Sequence, residues 1–445
     1  MVDVVVVGGG ITGAGILRDL VQRGFSAVLI EMGRPGGKTT AISSGLIHGG
    51  LRYLPYDYQT THHCCVEAGI IKRLAPQLLR RQIFLWPVYR GQTTGMELVE
   101  SLLEGYDDLG PLKYAKPRVR LSRDEALALE PGFKTEGLIG AVTFDEWAID
   151  PYGLVDLNIE SARRSGARLV TGAKVGAFIK EGGRITGVRV KSKEGGAEEE
   201  IRGRLVINAT GPWAQELATL AGASSVKLTP RKGVHLILKR RNLSYGALFP
   251  DITGRYIGVY PRGEDCWIGP TDDPFEGLPG EEGVTDEEKD RLIRSFKNYF
   301  PRHEIGEARF AVGLRPILHQ PGFSKWLSRD YEIFDHETLD HLGGLITVTG
   351  GKLTVYRLMA EDAVDLVEEK LGARKPCRSY KEALEEGAGP IGVAIPDFQK
   401  TESGRFSMIV SSLARLVYFW LRHWIRRMAG AKRAGLAVFR ETYAK

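Results

Sequence analysis

Cysteine is scarce in this sequence: four residues, at 64, 65, 266 and 377, are too few and too irregularly spaced for a disulfide framework. No charged-then-apolar leader precedes the first predicted strand. Both absences argue against a stapled secreted domain and for a cytosolic, reducing compartment. Glycine is the opposite case, with 55 residues in 445 and no collagen-like period, which implies many tight turns and close backbone approaches. The length suits two or three domains, and the 43% hydrophobic content is that of an ordinary globular protein. The charge is uneven. Residues 401–445 hold nine Lys/Arg against two acids, more than the whole net charge of +6, so the basic character belongs to the tail.

Residues 2–31 read VDVVVVGGGITGAGILRDLVQRGFSAVLIE. The apolar run Val4–Val7 predicts a buried parallel strand. Ile16, Leu17, Leu20 and Val21 recur at helical spacing, and Ala27–Ile30 predict a second strand. Gly8, Gly10 and Gly13 then form GxGxxG at a strand-to-helix turn, where a pyrophosphate can lie against backbone N–H groups and the positive helix end. Glu31 ends the second strand, placed to accept from a ribose 2′-OH and unsuited to a 2′-phosphate. No second copy follows, so the chain is built for one dinucleotide. RLVINATGPWA at 204–214 predicts a strand running into Ala209-Thr210-Gly211. GLITVTGGKLTVYRLMAEDAVDLVEEKLG at 344–372 predicts a strand, a Gly350-Gly351 turn and a helix whose positive end can face a flavin ring. NAD needs no such element, so FAD is favoured.

Taken in order, GGGITGAG, SSGLIHGGLRYL, NATGPWA, RKGVHLIL, VGLRPI, SRDY and GGKLTVYR resemble the FAD-dependent glycerol-3-phosphate dehydrogenases over roughly residues 1–378. The resemblance implies an α/β fold: a Rossmann-type FAD-binding domain interleaved with a mixed-sheet α+β substrate domain, plus a short helical C-terminal tail. The expected FAD-binding segments are 1–85, 145–215 and 340–372, the substrate domain is 86–144 with 216–339, and the extension is 373–445. To the cofactor the resemblance assigns Gly8, Gly10, Gly13, Glu31, Thr39, Thr40, Ser43, Ser44, His48, Gly49, Val175, Thr210, Gly211, Gly350, Gly351, Lys352, Leu353 and Thr354. To the substrate it assigns Arg52, Tyr53, Arg315 and Arg329. A phosphate in a closed site needs several cationic donors, and arginine offers a planar fork that matches its oxygens.

Flavin oxidation of a secondary alcohol moves a hydride from C2 to N5 while a base takes the hydroxyl proton. A base near neutral pH is best met by histidine. His235 is the expected base, with Arg315 and Lys352 as its catalytic neighbours; His48 is expected against the flavin. The reaction expected is oxidation of sn-glycerol 3-phosphate to dihydroxyacetone phosphate, with electrons passed to a quinone or a partner subunit. Family members carry Lys or Arg before LIHGG, whereas this chain has Gly45, so one cation is expected to be missing there. With Cys377 the single cysteine after Gly372, no iron–sulfur relay is expected. An amine or amino-acid oxidase would want one arginine and an apolar pocket, which several separated arginines disfavour. A flavin-bearing nucleic-acid-binding protein would interleave aromatics with its basic residues, which the tail does not do.

HHCC at 62–65 invites a zinc reading, but adjacent helical residues point about 100° apart and no second Cys/His pair follows at suitable distance, so no metal is expected. Thr285 and Glu288 stand at capping-box spacing. In the tail, Phe406, Ile409, Val410, Leu413, Leu416, Val417, Trp420, Leu421, Trp424 and Met428 fall on one side of a helix over about 405–429. Ser411, Arg415, Arg422 and Arg426 are expected on the other, and these arginines forbid a membrane span. The expectation is a helix lying in a membrane interface, on the inner face of the cell membrane, with docking onto a membrane-associated partner or the protein's own core as alternatives.

Overall fold

The computed structural model describes residues 1–192, 195, 198–240, 243–319, 331–372, 376–385, 405–428 and 434–444, with 405–413 described by backbone alone. The first half of the chain contains β1 (Val2–Val7), α1 (Ile11–Gln22), β2 (Ala27–Glu31), α2 (Thr39–Ile42), β3 (Leu46–Ile47), α3 (Tyr58–Leu74), β4 (Leu79–Tyr89), α4 (Met96–Asp107), β5 (Arg120–Ser122), α5 (Arg123–Leu129), β6 (Leu138–Ile149), α6 (Pro151–Arg164), β7 (Arg168–Thr171), β8 (Ala173–Glu181), β9 (Arg184–Ser192) and β10 (Glu199–Asn208). There follow α7 (Ala214–Ala221), β11 (Arg231–Lys239), β12 (Gly246–Pro250), β13 (Tyr256–Arg262), β14 (Asp265–Gly269), β15 (Asp273–Pro274), α8 (Asp286–Tyr299), β16 (Arg309–Arg315), β17 (Tyr331–Asp335), α9 (His336–Leu339), β18 (Leu345–Gly350), α10 (Tyr356–Leu371), α11 (Arg405–Met428) and α12 (Leu436–Tyr443).

Two sheets result. The first runs β17-β18-β10-β1-β2-β7, with β8 and β9 joined through β10. Its centre is parallel, β1 pairing with β2 and β10, and β10 with β18. Parallel strands covered on both faces read as continuous apolar runs, which is why Val4–Val7 lack alternation and are all buried. α1 and α10 cover one face, burying Ile16, Leu17, Leu20, Met359 and Val364. The second sheet runs β15-β11-β14-β13-β12-β4-β6-β3, with β16 on β11 and β5 on β6. Its far face packs on α8, which starts at Thr285 with the predicted capping box and buries Leu292 and Phe296. β17, within 216–339, pairs with β18 in the first sheet, while residues 79–85 and 145–149 belong to strands of the second. Cys64 and Cys65 of the HHCC run are buried on α3, and Cys65 Sγ donates to Gly49 O at 3.4 Å.

The tail helix forms with its arginines opposite the apolar stripe as expected, and it is the basic face that packs on the protein. Arg422 pairs with Asp108 at 2.7 Å, Arg426 with Glu104 at 2.8 Å, and Arg427 with Glu97. His423 lies between Glu104 and Glu97, at 3.1 and 3.0 Å. Phe419 is buried against Gly105, where a Cβ would come within 2.6 Å of its ring. The reason is charge: α4 presents Glu97, Glu100 and Glu104 at i, i+3 and i+7, an acidic stripe that the basic face of α11 neutralises. Val417, Trp420, Leu421, Trp424 and Met428 are left exposed.

Glu130, at the end of α5, is a buried carboxyl receiving one backbone N–H from Gly132 at 3.2 Å. Burial raises its pKa from 4.5 to about 7. As the folded value lies above the unfolded one, the associated stability is fully present below about pH 4.5 and is lost as pH rises through about 7. Glu130→Gln should therefore flatten the decline in unfolding free energy between pH 5 and 8 by up to about 3 kcal/mol. Denaturant melts at the two pH values check this, and parallel slopes for both proteins would refute it.

Candidate active site

A cavity of about 1160 Å³ lies between the sheets. Its first wall is made by the carboxyl ends of β1, β10 and β18, the usual ligand edge of an open parallel sheet. Gly8 leaves β1 at φ +109°, and a Cβ there would come within 2.5 Å of Ala209 O. A Cβ on Gly13 would fall inside the Gly8 carbonyl. Gly10, the N-cap of α1, has ordinary extended backbone and an open surface: its nearest neighbour would be Thr40 Oγ1 at 3.5 Å. Gly8 and Gly13 thus serve the turn, and Gly10 leaves room for a ligand at the positive end of a twelve-residue helix. Glu31 is held from both sides, accepting from Gly9 N at 2.7 Å and Gly33 N at 2.7 Å. Each oxygen keeps a lone pair for a hydroxyl. Thr40 Oγ1 accepts from Ile11 N at 3.2 Å and Thr39 Oγ1 donates to Leu314 O at 2.8 Å, so the 39–40 turn ties the nucleotide end to β16.

The segment from Ser43 to Tyr53 crosses the cavity and is fastened by buried polar groups. Gly49 N donates to Glu146 Oε2 at 3.1 Å, and the Glu146 carboxylate is held by Lys113 Nζ at 2.6 Å and Tyr106 Oη at 2.6 Å. Thr354 Oγ1 accepts from His48 N at 3.0 Å and donates to His48 O at 3.2 Å, latching the loop to the turn ahead of α10. His48 Nδ1 accepts from Gly50 N at 3.0 Å. Lys352 Nζ stands 4.7 Å over the Tyr53 ring, bringing Arg52, Tyr53 and Lys352 to one part of the cavity wall. The space left at Gly45 is taken by a cation from β13. Arg262 lies against Gly45, its Cζ 3.2 Å from where a Cβ would stand, with Nη1 donating to Ser43 O at 3.2 Å.

The second sheet supplies the opposite wall. Alternation along β11 puts Gly233 and His235 on the cavity face, and β13, β12, β4 and β6 add Tyr260, Leu248, Phe84 and Phe144. His235 Nε2 is 3.4 Å from Ser44 Oγ, and Nδ1 has no hydrogen-bond partner among the described residues. Burial, with Arg315 and Arg262 nearby, lowers the His235 pKa from 6.5 to about 3. The expectation of a histidine titrating near neutrality is corrected accordingly: removal from water disfavours the imidazolium and two guanidiniums add repulsion. The ring is neutral through the physiological range, with a nitrogen able to accept a proton.

Of the expected site residues, Gly8, Gly10, Glu31, Thr39, Thr40, Ser43, Ser44, His48, Arg52, Tyr53, Val175, Thr210, Gly211, His235, Arg315, Gly350, Gly351, Lys352 and Leu353 line this cavity. Gly13, Gly49 and Thr354 stand behind its wall, where they shape the turn and the loop. Arg329 lies outside the described residues. Sequence reasoning missed Arg255, Tyr260 and Glu146, which line the cavity, and Arg262 and Asp272, which stand behind it against Ser43 and Arg315; none belongs to a motif.

A family model described as FAD dependent oxidoreductase matches residues 3–361. Among curated proteins, the anaerobic glycerol-3-phosphate dehydrogenase subunit A1 of Haloferax volcanii is 33% identical over 398 residues, 86% of this chain and 66% of that protein. The aerobic glycerol-3-phosphate dehydrogenase of Bacillus subtilis is 33% identical over 378 residues, 83% of this chain and 67% of that protein. Among solved structures, the glycerol-3-phosphate dehydrogenase from Bacillus halodurans complexed with FAD is similar at TM-score 0.69 and 28% identity, covering 86% of this chain and 67% of that one. The L-alpha-glycerophosphate oxidase from Mycoplasma pneumoniae with FAD bound, at TM-score 0.68 and 22% identity over 86% of this chain and 99% of that one, is similar in fold. The chain spans about two thirds of the length of the curated relatives it matches.

Gly10 gives a direct test of the dinucleotide end. Gly10→Ala meets no protein atom closer than 3.5 Å, so folding and melting temperature of the stripped protein should be unchanged. A methyl where the pyrophosphate approaches should weaken FAD retention by roughly tenfold or more. Equilibrium dialysis with FAD measures it, and wild-type retention in the variant would move the pyrophosphate away from this turn.

Proposed function

Since the chain belongs to the FAD-dependent oxidoreductase family, its cofactor is FAD, and we propose that it oxidises sn-glycerol 3-phosphate to dihydroxyacetone phosphate. The carrying observation is a histidine held neutral beside arginines, on the cavity wall opposite the nucleotide turn. Bound FAD supplies the hydride acceptor. The remaining work falls to the protein. Arg315, with Arg52 and Lys352 on the neighbouring wall, offers charge-assisted donors for the phosphate. His235 accepts the C2 hydroxyl proton, so the alcohol loses one hydride and one proton and becomes the ketone. A phosphate dianion beside Arg315 offsets the field that depresses the His235 pKa, so the imidazole becomes a better base once substrate is bound. An amino acid would call for one cation and an apolar wall, whereas guanidiniums converge at this site.

Anaerobic titration of the purified flavoprotein with glycerol 3-phosphate should abolish the oxidised flavin absorbance; its persistence under saturating substrate would remove the proposed activity. In stopped-flow reduction, His235→Asn should slow the step roughly 10²- to 10⁴-fold. The acidic limb at saturating substrate should lie above the free-enzyme value of about 3 and vanish in the variant. A limb that survives the substitution would transfer the role of base to another group, Lys352 first.

For the electron-accepting half, we propose a quinone at the inner face of the cell membrane, reached because α11 lies on the lipid surface, with an electron-accepting subunit as the competing acceptor. No helix among the described residues is long and apolar enough to cross a membrane. α11 instead offers an exposed stripe of Val417, Trp420, Leu421, Trp424, Ile425 and Met428, and its 24 residues contain no acid. Burying one such large apolar side chain contributes up to about 1.5 to 3 kcal/mol. With Arg422, Arg426 and Arg427 engaged by α4, lipid binding should rest on apolar contact and change little with salt.

Replacing the exposed Trp420 and Trp424 of α11 by glutamate, with α12 and its buried Phe439 left in place, should keep FAD and its reduction by substrate, yet lose liposome flotation and quinone turnover. Loss of flavin or solubility would make α11 part of the fold's own core. Full-length protein that ignores lipid until a second subunit is added would make the stripe a protein-docking face.

A further inference from the structure

A base must come within hydrogen-bond reach of the proton it takes, yet His235 is only 2% exposed although it belongs to the wall of a large cavity. Its two nitrogens differ. Nδ1 is buried and has no hydrogen-bond partner among the described residues, so it offers nothing to a ligand. Nε2 is 3.4 Å from Ser44 Oγ. The ring meets Trp267 and Tyr260 edge to face, with centroids 5.3 and 6.4 Å away, which leaves it no freedom to turn Nδ1 outward. What stands at the available nitrogen is therefore a hydroxyl, and Ser44 lines the cavity.

Ser44 is held as firmly as the ring. The carbonyls on either side of it are both taken: Ser43 O accepts from Arg262 Nη1 at 3.2 Å, and Gly45 O accepts from Ile149 N at 2.9 Å. Ser43 Oγ donates to Thr40 O at 2.7 Å, so the preceding hydroxyl is tied to the backbone and Ser44 alone of the pair faces the histidine. The Tyr260 hydroxyl reaches Ser44 as well. A serine hydroxyl has one proton to give and two lone pairs. With its proton on Nε2 and one lone pair taking the phenol proton, one lone pair is left for a hydroxyl in the cavity. A contact of 3.4 Å is long for a hydrogen bond, and catalytic contacts of this kind tighten when substrate closes the site.

We propose that Ser44 carries the proton between substrate and base: the C2 hydroxyl proton passes to Ser44 Oγ while the serine proton passes to His235 Nε2. The serine ends unchanged and the imidazole ends as imidazolium. The O–H and C2–H bonds break and the carbonyl forms, with the hydride leaving to bound FAD, so one proton and one hydride account for the oxidation. The relay requires the neutral ring to hold its proton on Nδ1, with Nε2 free to accept. It rests on the proposed glycerol 3-phosphate reading, which it deepens by naming the atom that first receives the proton.

Two measurements on the FAD-loaded full chain test it. With isotopically labelled histidine nitrogens, and His235 identified by its loss in His235→Asn, NMR of the oxidised protein at neutral pH should show Nε2 unprotonated. A neutral ring with its proton on Nε2 would overturn the relay whatever the substrate is. In stopped-flow reduction at saturating glycerol 3-phosphate, Ser44→Ala should lower the rate roughly 10²-fold. Ser44→Thr or Ser44→Cys, each keeping a proton to pass on, should recover part of that loss. A Ser44→Ala rate within about twofold of wild type, or a loss that neither variant recovers, would overturn the assignment. If the variants fail to fold, the wild-type nitrogen signals decide. Should wild-type flavin stay oxidised with glycerol 3-phosphate while Nε2 is unprotonated, the substrate reading falls and the Ser44–His235 pair stands. Rapid reduction that is indifferent to Ser44→Ala keeps the reading and removes the relay.

Discussion

Three backbones meet at the carboxyl edge of the first sheet with no side chain between them, and the rest of the molecule is arranged around that approach. Gly8 must take a left-handed turn beneath Ala209, and Gly13 must let α1 press on the Gly8 carbonyl. Any larger residue would separate α1 from β1 and β10, and the helix end would no longer face the cavity. Because the approach is backbone on backbone, no rotamer change can relieve it, unlike a clash with a flexible side chain. The opposite wall depends on the same economy of volume: Gly233 lets a guanidinium lie on β11, and Gly45 leaves room for Arg262.

Buried carboxylates organise the cavity's cations and its crossing loop. Glu146, with Lys113 and Tyr106, fixes the loop at Gly49, and Asp272 gathers arginines from two strands and the loop before β13. Isolated buried charges are costly, so each of these acids is matched by cationic or hydroxyl donors. The basicity of His235 answers to the same neighbours: burial disfavours the imidazolium, and the guanidiniums of Arg315 and Arg262 add repulsion.

The tail shows the same rule on the outside of the protein. A helix with a basic face and an apolar face can satisfy one of them locally, and the acidic stripe of α4 selects the basic one. The apolar stripe is then what the protein offers to its surroundings. The pattern on the wheel was legible, but its orientation depended on a helix 300 residues earlier in the chain.

By itself the sequence determined the local units: the βαβ turn with its glycines and Glu31, the strand–turn–helix around Gly350 and Gly351, the capped α8, and the length and faces of α11. Each is set by interactions within some thirty residues, through periodicity, capping and the φ that glycine allows. The loop motifs were legible for the same reason, so His48, Arg52 and Tyr53 could be placed on one segment. Tertiary structure alone decided which distant charges meet. Arg262 and Glu146 carry no motif, since their roles come from strand register, and a one-residue slip would turn each to the other face; Arg255 and Asp272, in the loops before β13 and after β14, meet through the packing of the sheet. The protonation state of His235 belongs to that class too: histidine chemistry is a property of the residue, but its pKa is set by water excluded and guanidiniums brought near by other strands.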